Sequence, residues 1–456
     1  MRAGTQTRRL QKWPILPVLV FCCLLSQGAR GAVMLTNLFS FGQTNGYDPR
    51  PCLVMGTNGL LYGTTAGGGA YDRGTAFKMT FDGALTVLFS FDGTNGASPY
   101  GGIVAGGDGN FYGVAEMGGG SNCGTIFRLT HDGALDTLVS FNGANGKWPS
   151  GGLTPGRDGC LYGTTEAGGA FTLGTVFRVT TNGVLTTLVS FNRTNGAGPM
   201  CRLLRGCDGN YYGTTRLGGS NNVGTVFKMS PEGILTSLHS LSGIGAYWPV
   251  GGLAEAVNGD LYGTTAGIGL PAGTVFKITT NGFFTPIMAF NGTNGSSPLA
   301  ELVRCQDGSF LGTTVYGGAY GAGTLFRIGP EDQFATLYSF NGGSDGWNPR
   351  SSLMQATDGY FYGETSEGGP QHSGTIFRIS IPLSPVFQTV ARAGDLLTFS
   401  WAAVAGQTYQ VQYNADLGST NWADLGGTTT PTNGAVTLSD SIGPDPQRFY
   451  RIVLLP

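Results

Sequence analysis

An all-β fold, in which repeated four-stranded units are followed by a small sandwich, is what the sequence predicts, and three observations carry it. The first is a period of 50 residues: an aromatic-glycine step recurs at Tyr62, Tyr112, Tyr162, Tyr212 and Tyr262, then as Leu311, then at Tyr362. The second is a Gly-Thr-x-Phe signature with seven copies, ending at Phe77, Phe127, Phe177, Phe227, Phe276, Phe326 and Phe377. The third is the absence of a helix-period pattern: short apolar runs alternate instead with Asn-Gly and Asp-Gly turn pairs. Four antiparallel strands per repeat describe the blade of a β-propeller, whereas a parallel β-helix has shorter coils and fewer hairpin turns. Seven copies give a seven-bladed β-propeller.

The N-terminus reads as an export signal over residues 1–31. Arg2, Arg8, Arg9 and Lys12 precede the apolar run Trp13–Leu25 and then "SQGARGA", where Ala29 and Gly31 meet the small-residue cleavage rule. The apolar run is shorter than the roughly 20 residues of a membrane span. "TRRLQK" is similar to a twin-arginine motif but lacks the usual apolar pair after it. The expectation is a mature chain that is secreted or held at the cell envelope, with no membrane span once the signal is removed.

The propeller is expected over 32–381. Its first element is a lone fourth strand, "LTNLFSF" (35–41), and its last unit stops after a third strand, "GTIFRIS" (374–380). The N-terminal strand is therefore expected to complete the seventh blade and remove an exposed sheet edge. Within a unit the strands read "GGLTPG" (151–156), "LYGTT", "GTVFRVT" (174–180) and "LTTLVSF" (185–191). Asp158-Gly159 and its equivalents join strands one and two and read as the positive-φ pair of a tight hairpin. The glycine-rich stretch "LYGTTAGGGAYDRGTAFKMT" (61–80) looks like a phosphate loop, but such a loop occurs once and leads into a helix. This one recurs seven times and leads into a strand, so its glycines are read as turn chemistry.

Composition removes other classes. Net charge −2 with 11% charged residues leaves no basic footprint for nucleic acid. Cys52, Cys123, Cys160, Cys201, Cys207 and Cys305 lie far apart without metal-type spacing and read as buried thiols. His131, His239 and His372 fall at different repeat positions, so no metal site and no cofactor are expected.

The pattern "DGNxYGTT...GGxxxxGTVFKxTxxGxLTTLxSFNGTNG" resembles the GloVer tandem repeat of secreted Gloeobacter and Verrucomicrobia proteins that carry a choice of C-terminal anchors, over residues 33–380. The resemblance implies a secreted or surface propeller-like protein and supplies no catalytic residues. Copies depart at Leu311, at Glu331-Asp332, where the turn glycine is missing, and at "LSGIGAYWP". After the repeats, residues 382–456 alternate at Leu397, Phe399 and Trp401 and at Tyr409, Val411 and Tyr413, and resemble a small fibronectin type III-like β-sandwich. No apolar tail or sorting motif stands there as the anchor.

With strand one innermost, the Asp-Gly turns share one uniform face, and the two-to-three and four-to-one loops share a varied one, where specificity is built. Trp148, Trp248 and, one residue shifted, Trp347 precede proline there, joined by Tyr71, Phe171, Tyr247, Tyr316 and Tyr320. They are candidates for stacking on sugar rings or gripping a surface protein; the other reading is a lid over the blade junctions. After "YGTT" the pattern breaks to Glu116, Glu166 and Arg216 on successive blades. Two carboxylates on one cleft would suit glycoside hydrolysis, and a solvated polar rim is the alternative. A basic residue follows each strand-three phenylalanine, Lys78 and Arg128 among them, and reads as a snorkelling stem. The function expected is a binding or scaffold module for extracellular polysaccharide or a surface protein. The alternatives are a polysaccharide-degrading enzyme using the Glu116/Glu166 region and a purely structural surface protein.

Overall fold

The computed structural model describes residues 33–50, 52–242, 247–267, 272–381, 385, 387–404, 406–416, 421–432, 434–441 and 448–455. The expected export signal (1–31) lies outside them. Among the described residues there is no helix, and none therefore long and apolar enough to cross a membrane. The described residues divide into two compact units, one within 32–356 and 360–381, the other within 382–456 together with the short piece 357–359.

The first unit holds, among the described residues, seven four-stranded antiparallel sheets. The third repeat shows how the sequence makes one: Leu153–Pro155, Leu161–Thr165, Thr175–Val179 and Leu185–Ser190 pair in chain order. Every residue of Leu161–Thr165 is buried, because the second strand lies inside the sheet and between neighbouring sheets. That crowding explains the glycine of "YGTT". A Cβ on Gly163 would stand 2.6 Å from the tip of the Phe177 ring on the adjacent strand. The third and fourth strands share a bulge between Val176 and Phe177. The same shift recurs in the equivalent pairs, for instance between Ile126 and Phe127, adding local twist to the outer edge.

The turns differ from the expected tight pair in one respect. Gly159 has φ 75°, but Asp158 is not left-handed. In the equivalent turns the Gly59 N–H donates to the Gly56 carbonyl at 3.0 Å and the Gly209 N–H to the Gly206 carbonyl at 3.1 Å, and in the third repeat the Gly156 N–H donates to the Cys160 carbonyl at 2.8 Å. This is a longer loop with glycine at its last, left-handed position, and the aspartate instead folds its carboxylate back onto the Cys160 N–H. In the sixth repeat the turn between third and fourth strands, which elsewhere holds a left-handed glycine such as Gly183, has Asp332 at φ 65°. Its carboxylate then accepts from the Tyr262 hydroxyl at 2.7 Å and pairs with Lys277 at 2.6 Å.

Successive sheets pack through the phenylalanine that closes one fourth strand and the Gly-Thr-x-Phe phenylalanine of the next repeat: Phe91 on Phe127 at 5.2 Å and Phe141 on Phe177 at 5.4 Å between ring centroids. Phe340 meets Phe377 in the same way, and so does Phe41, just after the first strand, with Phe77. The strand Met34–Ser40 pairs antiparallel with Thr375–Ser380, Met34 opposite Ser380, as the fourth strand of the last sheet. A core of Phe41, Leu53, Phe77, Tyr362 and Ile376 joins that sheet to the first.

Among the described residues the second unit holds two three-stranded antiparallel sheets. One orders Phe387–Ala393, Leu396–Ala402 and Ala435–Ser441; the other orders Ala423–Thr429, Thr408–Asn414 and Phe449–Leu455. The alternation seen at Leu397, Phe399 and Trp401 is buried, as are Tyr409, Val411 and Tyr450.

Candidate functional site

The varied loops are tied together by one repeated backbone bond. The residue after "YGTT" donates its N–H to the carbonyl of the residue before the loop proline: Glu116 to Ser98 at 3.1 Å, Glu166 to Trp148 at 2.9 Å, Arg216 to Gly198 at 3.1 Å. The pre-proline residue is left-handed in each of these loops, with φ 52° at Ser98, 60° at Trp148 and 63° at Gly198. That geometry sets two columns of side chains next to each other around one end of the sheets.

The structure brings together Glu116, Glu166, Arg216 and Trp248. Arg216 pairs with Glu166 at 3.5 Å and lies 5.2 Å from the centre of the Trp248 ring. Glu116, half-buried, has no side-chain hydrogen bond among the described residues. Burial, then the negative charge of Glu166, pushes its pKa up to about 7, with Arg50 opposing. Arg50 is held by Asp48 at 2.8 Å and lies 4.5 Å over the ring of Tyr100. A continuous band thus runs Asp48, Arg50, Tyr100, Glu116, Glu166, Arg216, Trp248, with one carboxyl group that titrates near neutrality beside one paired to an arginine.

The remaining aromatic candidates lie apart. Trp148 is half-buried, with the Lys147 ammonium 4.2 Å from its ring. Trp347 is exposed, and its shift by one residue matters: it bridges Glu367 as Lys147 bridges Ala167, so it occupies the column beside Trp148 and Trp248, not theirs. Tyr71, Phe171 and Tyr320 are exposed in the loops between second and third strands. Tyr316, 43% exposed, accepts from Arg350 at 3.4 Å, and Tyr247 is half-buried. On the opposite end, the basic column is largely paired, as in Lys228 with Asp208 at 2.9 Å and Arg128 with Asp136 at 2.6 Å.

Sequence reasoning missed the residue after each loop proline. This column starts with Arg50 and Tyr100 and ends with Arg350, and it rims a cavity of about 510 Å³ along the first strands. It varies as much as the column after "YGTT", which is the signal that could have found it. Also missed was Glu364, where "YGTT" becomes "YGET". In other repeats the threonine hydroxyl donates to a carbonyl of the next repeat, Thr64 to Pro99 at 3.0 Å and Thr214 to Pro249 at 2.9 Å. Glu364 is fully buried with both carboxyl oxygens unpartnered, and burial holds its pKa well above the usual range. Burial and then Glu364 push the Cys52 thiol up to about 12. Among the described residues six cysteines are free; Cys123, Cys201 and Cys305 are buried, whereas, against the expectation of buried thiols, Cys52 and Cys160 are half-buried and Cys207 is exposed, because it stands in a first-to-second-strand turn. Among the described residues no three His, Cys, Asp or Glu side chains gather as metal ligands.

The repeat pattern of Gloeobacter and Verrucomicrobia matches residues 28–157, 131–304 and 269–395. The chain belongs to the Gloeobacter/Verrucomicrobia repeat family. No curated protein matches it. Among solved structures, this family member is similar to the extracellular domain of a proposed hybrid two-component system of B. thetaiotaomicron, at 10% identity and TM-score 0.51, over 92% of this chain and 55% of that one. The repeat protein thus spans about half the length of that relative. It is also similar to a gluconolactonase from Xanthomonas campestris at 12% identity and TM-score 0.42, over 81% of this chain and 96% of that one. A protein of unknown function from Dyadobacter fermentans matches at 12% identity and TM-score 0.45, over 77% of this chain and 100% of that one. The Gloeobacter/Verrucomicrobia repeat here is accordingly an all-β, propeller-like arrangement of repeated four-stranded sheets, which leaves its function to be argued from its own residues.

Proposed function

We propose that the protein is an exported, closed seven-bladed propeller, its N-terminal strand completing the last blade, that binds a glycan on its varied loop face at the cell envelope or outside the cell. The observation that carries this is the convergence of Tyr100, Glu116, Glu166, Arg216 and Trp248 from successive repeats at one end of the sheets. Carboxylates and guanidinium groups that hydrogen-bond hydroxyls, beside an aromatic plane, are what a sugar needs. The signal-like N-terminus supports export. The second unit would act as spacer or attachment module, with a fibronectin type III-like role.

A glycan array probed with the mature protein and with W248A tests the proposal. Specific binding lost in W248A supports it; no binding to any glycan favours a structural surface protein.

A second reading has its own observation: burial pushes Glu116 towards its protonated form, while its neighbour Glu166 stands in an ion pair with Arg216. That division is the one a glycoside hydrolase uses between its acid and its second carboxylate. Release of shortened product from a bound glycan, abolished by E116Q, would favour this reading over simple binding.

A further inference from the structure

The first strands of the repeats line the axial cavity of about 510 Å³ below the loop face, within the range that holds small ligands. At one level of the repeat, glycines stand at 102, 152 and 252, but Arg202 and Glu301 replace them in the fourth and sixth units. Glu301 lies across Gly252, where a Cβ would stand 3.0 Å from its Oε2, so the absent side chain makes the carboxylate's room. Arg202 is exposed, and both residues line the cavity. They feel each other, since burial raises the pKa of Glu301 and Arg202 opposes it. Yet they form no ion pair with one another, and neither has a side-chain hydrogen bond among the described residues. Two opposite charges held open across one cavity are a frame for something that bridges them.

The charge balance says what kind of molecule. The lining carries Arg50, Arg202 and Arg350 against Glu301. Arg50 is taken by Asp48, whereas Arg350 has a buried Nε without a partner. The Arg202 guanidinium and the Arg350 Nε, whose Nη2 donates to Tyr316, therefore remain for an anion, and the planar fork of arginine matches a carboxylate in bidentate fashion. Glu301 would repel a doubly charged phosphate more than a carboxylate, and its oxygens are placed to accept from hydroxyls. We propose that the axial cavity binds a small sugar acid, its carboxylate on Arg202 and its hydroxyls on Glu301. The cavity shares Arg50 and Tyr100 with the loop-face band, but Arg202 and Glu301 stand outside that band, and neither Trp248 nor Glu116 lines the cavity.

Calorimetry on the mature chain with sodium glucuronate, glucose and inorganic phosphate tests this. Glucuronate is expected to bind, glucose and phosphate at least about tenfold more weakly. Arg202→Gln should weaken glucuronate by about tenfold or more, with Glu301→Gln also weakening it, while Trp248→Ala leaves it unchanged. Melting curves of the two cavity variants matching wild type show that the fold is kept, and Arg202→Lys serves as the conservative check if Arg202→Gln misfolds. No glucuronate binding below about 10 mM, glucose or phosphate binding as tightly, or a folded arginine variant that binds like wild type overturns the proposal. Loss of loop-face glycan binding in W248A with glucuronate binding kept separates the two sites.

Discussion

Glu166 and Arg216, 50 residues apart and at the same position of adjacent repeats, form an ion pair at 3.5 Å beside a third titratable group. With Arg216 spent on Glu166, the neighbouring Glu116 meets first its own partial burial and then the Glu166 charge, with only Arg50 in opposition.

The first prediction concerns pH. Glu116 is raised from 4.5 to about 7, so between those values the folded protein holds a proton that the unfolded chain has released. Stability from this group is present below the lower value and is lost as pH rises through the upper one. The full shift would be worth about 3 kcal/mol, and solvent access to a half-buried group reduces it to about 1 kcal/mol. E116Q should therefore match wild type in urea denaturation near about pH 4 and exceed it by about 1 kcal/mol near about pH 8. An equal difference at both pH values would contradict the assignment.

Removing Arg216 should raise the Glu116 titration further, because the Glu166 charge then acts without its counter-ion. The stability cost of R216A itself should be about 0.5–1 kcal/mol, as for other partly exposed pairs. Carboxyl carbon shifts followed by NMR against pH would report both, and a Glu116 midpoint that falls in R216A would refute the coupling.

The closing strand offers a third test. Met34–Ser40 supplies the fourth strand of the last sheet, and Phe41 follows it into the core with Phe77. Deleting residues 32–45 should expose the edge of Thr375–Ser380 and remove a buried ring worth about 3–5 kcal/mol. The expected result is a lower melting temperature and concentration-dependent aggregation. A truncated protein that stays monomeric and melts like wild type would sink the closed-ring reading.

What the sequence made legible was whatever repeats. The strand order, the left-handed turn glycines and the buried second strand recur in each copy, so local preferences agree many times over. Glu116, Glu166 and Arg216 were visible as departures from a column. Arg202 and Glu301 were not, because periodicity does not say which column lines a cavity, and the cavity is made only when the sheets pack. Trp347 was misplaced because a one-residue shift moves a side chain to the other column. Glu364 was hidden by its own motif: "YGET" reads as one more "YGTT", and only burial reveals that a carboxyl group stands where a hydroxyl should.

That replacement gives the last prediction. Glu364 is fully buried with neither carboxyl oxygen bonded, although Ser351 Oγ accepts from its N–H at 3.0 Å. The hydroxyl that the other repeats use here satisfies itself on the next unit, as Thr264 does on Pro298 at 3.0 Å. An unpartnered buried polar group costs about 1–3 kcal/mol, so E364T should stabilise the protein by an amount of that order, less what the smaller side chain loses in packing. Because burial raises the folded pKa of Glu364 above its unfolded value, the wild type should also lose stability as pH rises past 4.5, and E364T should not. The gain should therefore widen from acid to neutral pH, and E364Q, which keeps the volume but cannot ionise, should share the pH effect. A wild type more stable than both variants at neutral pH would mean that Glu364 is held by an interaction worth more than its burial costs.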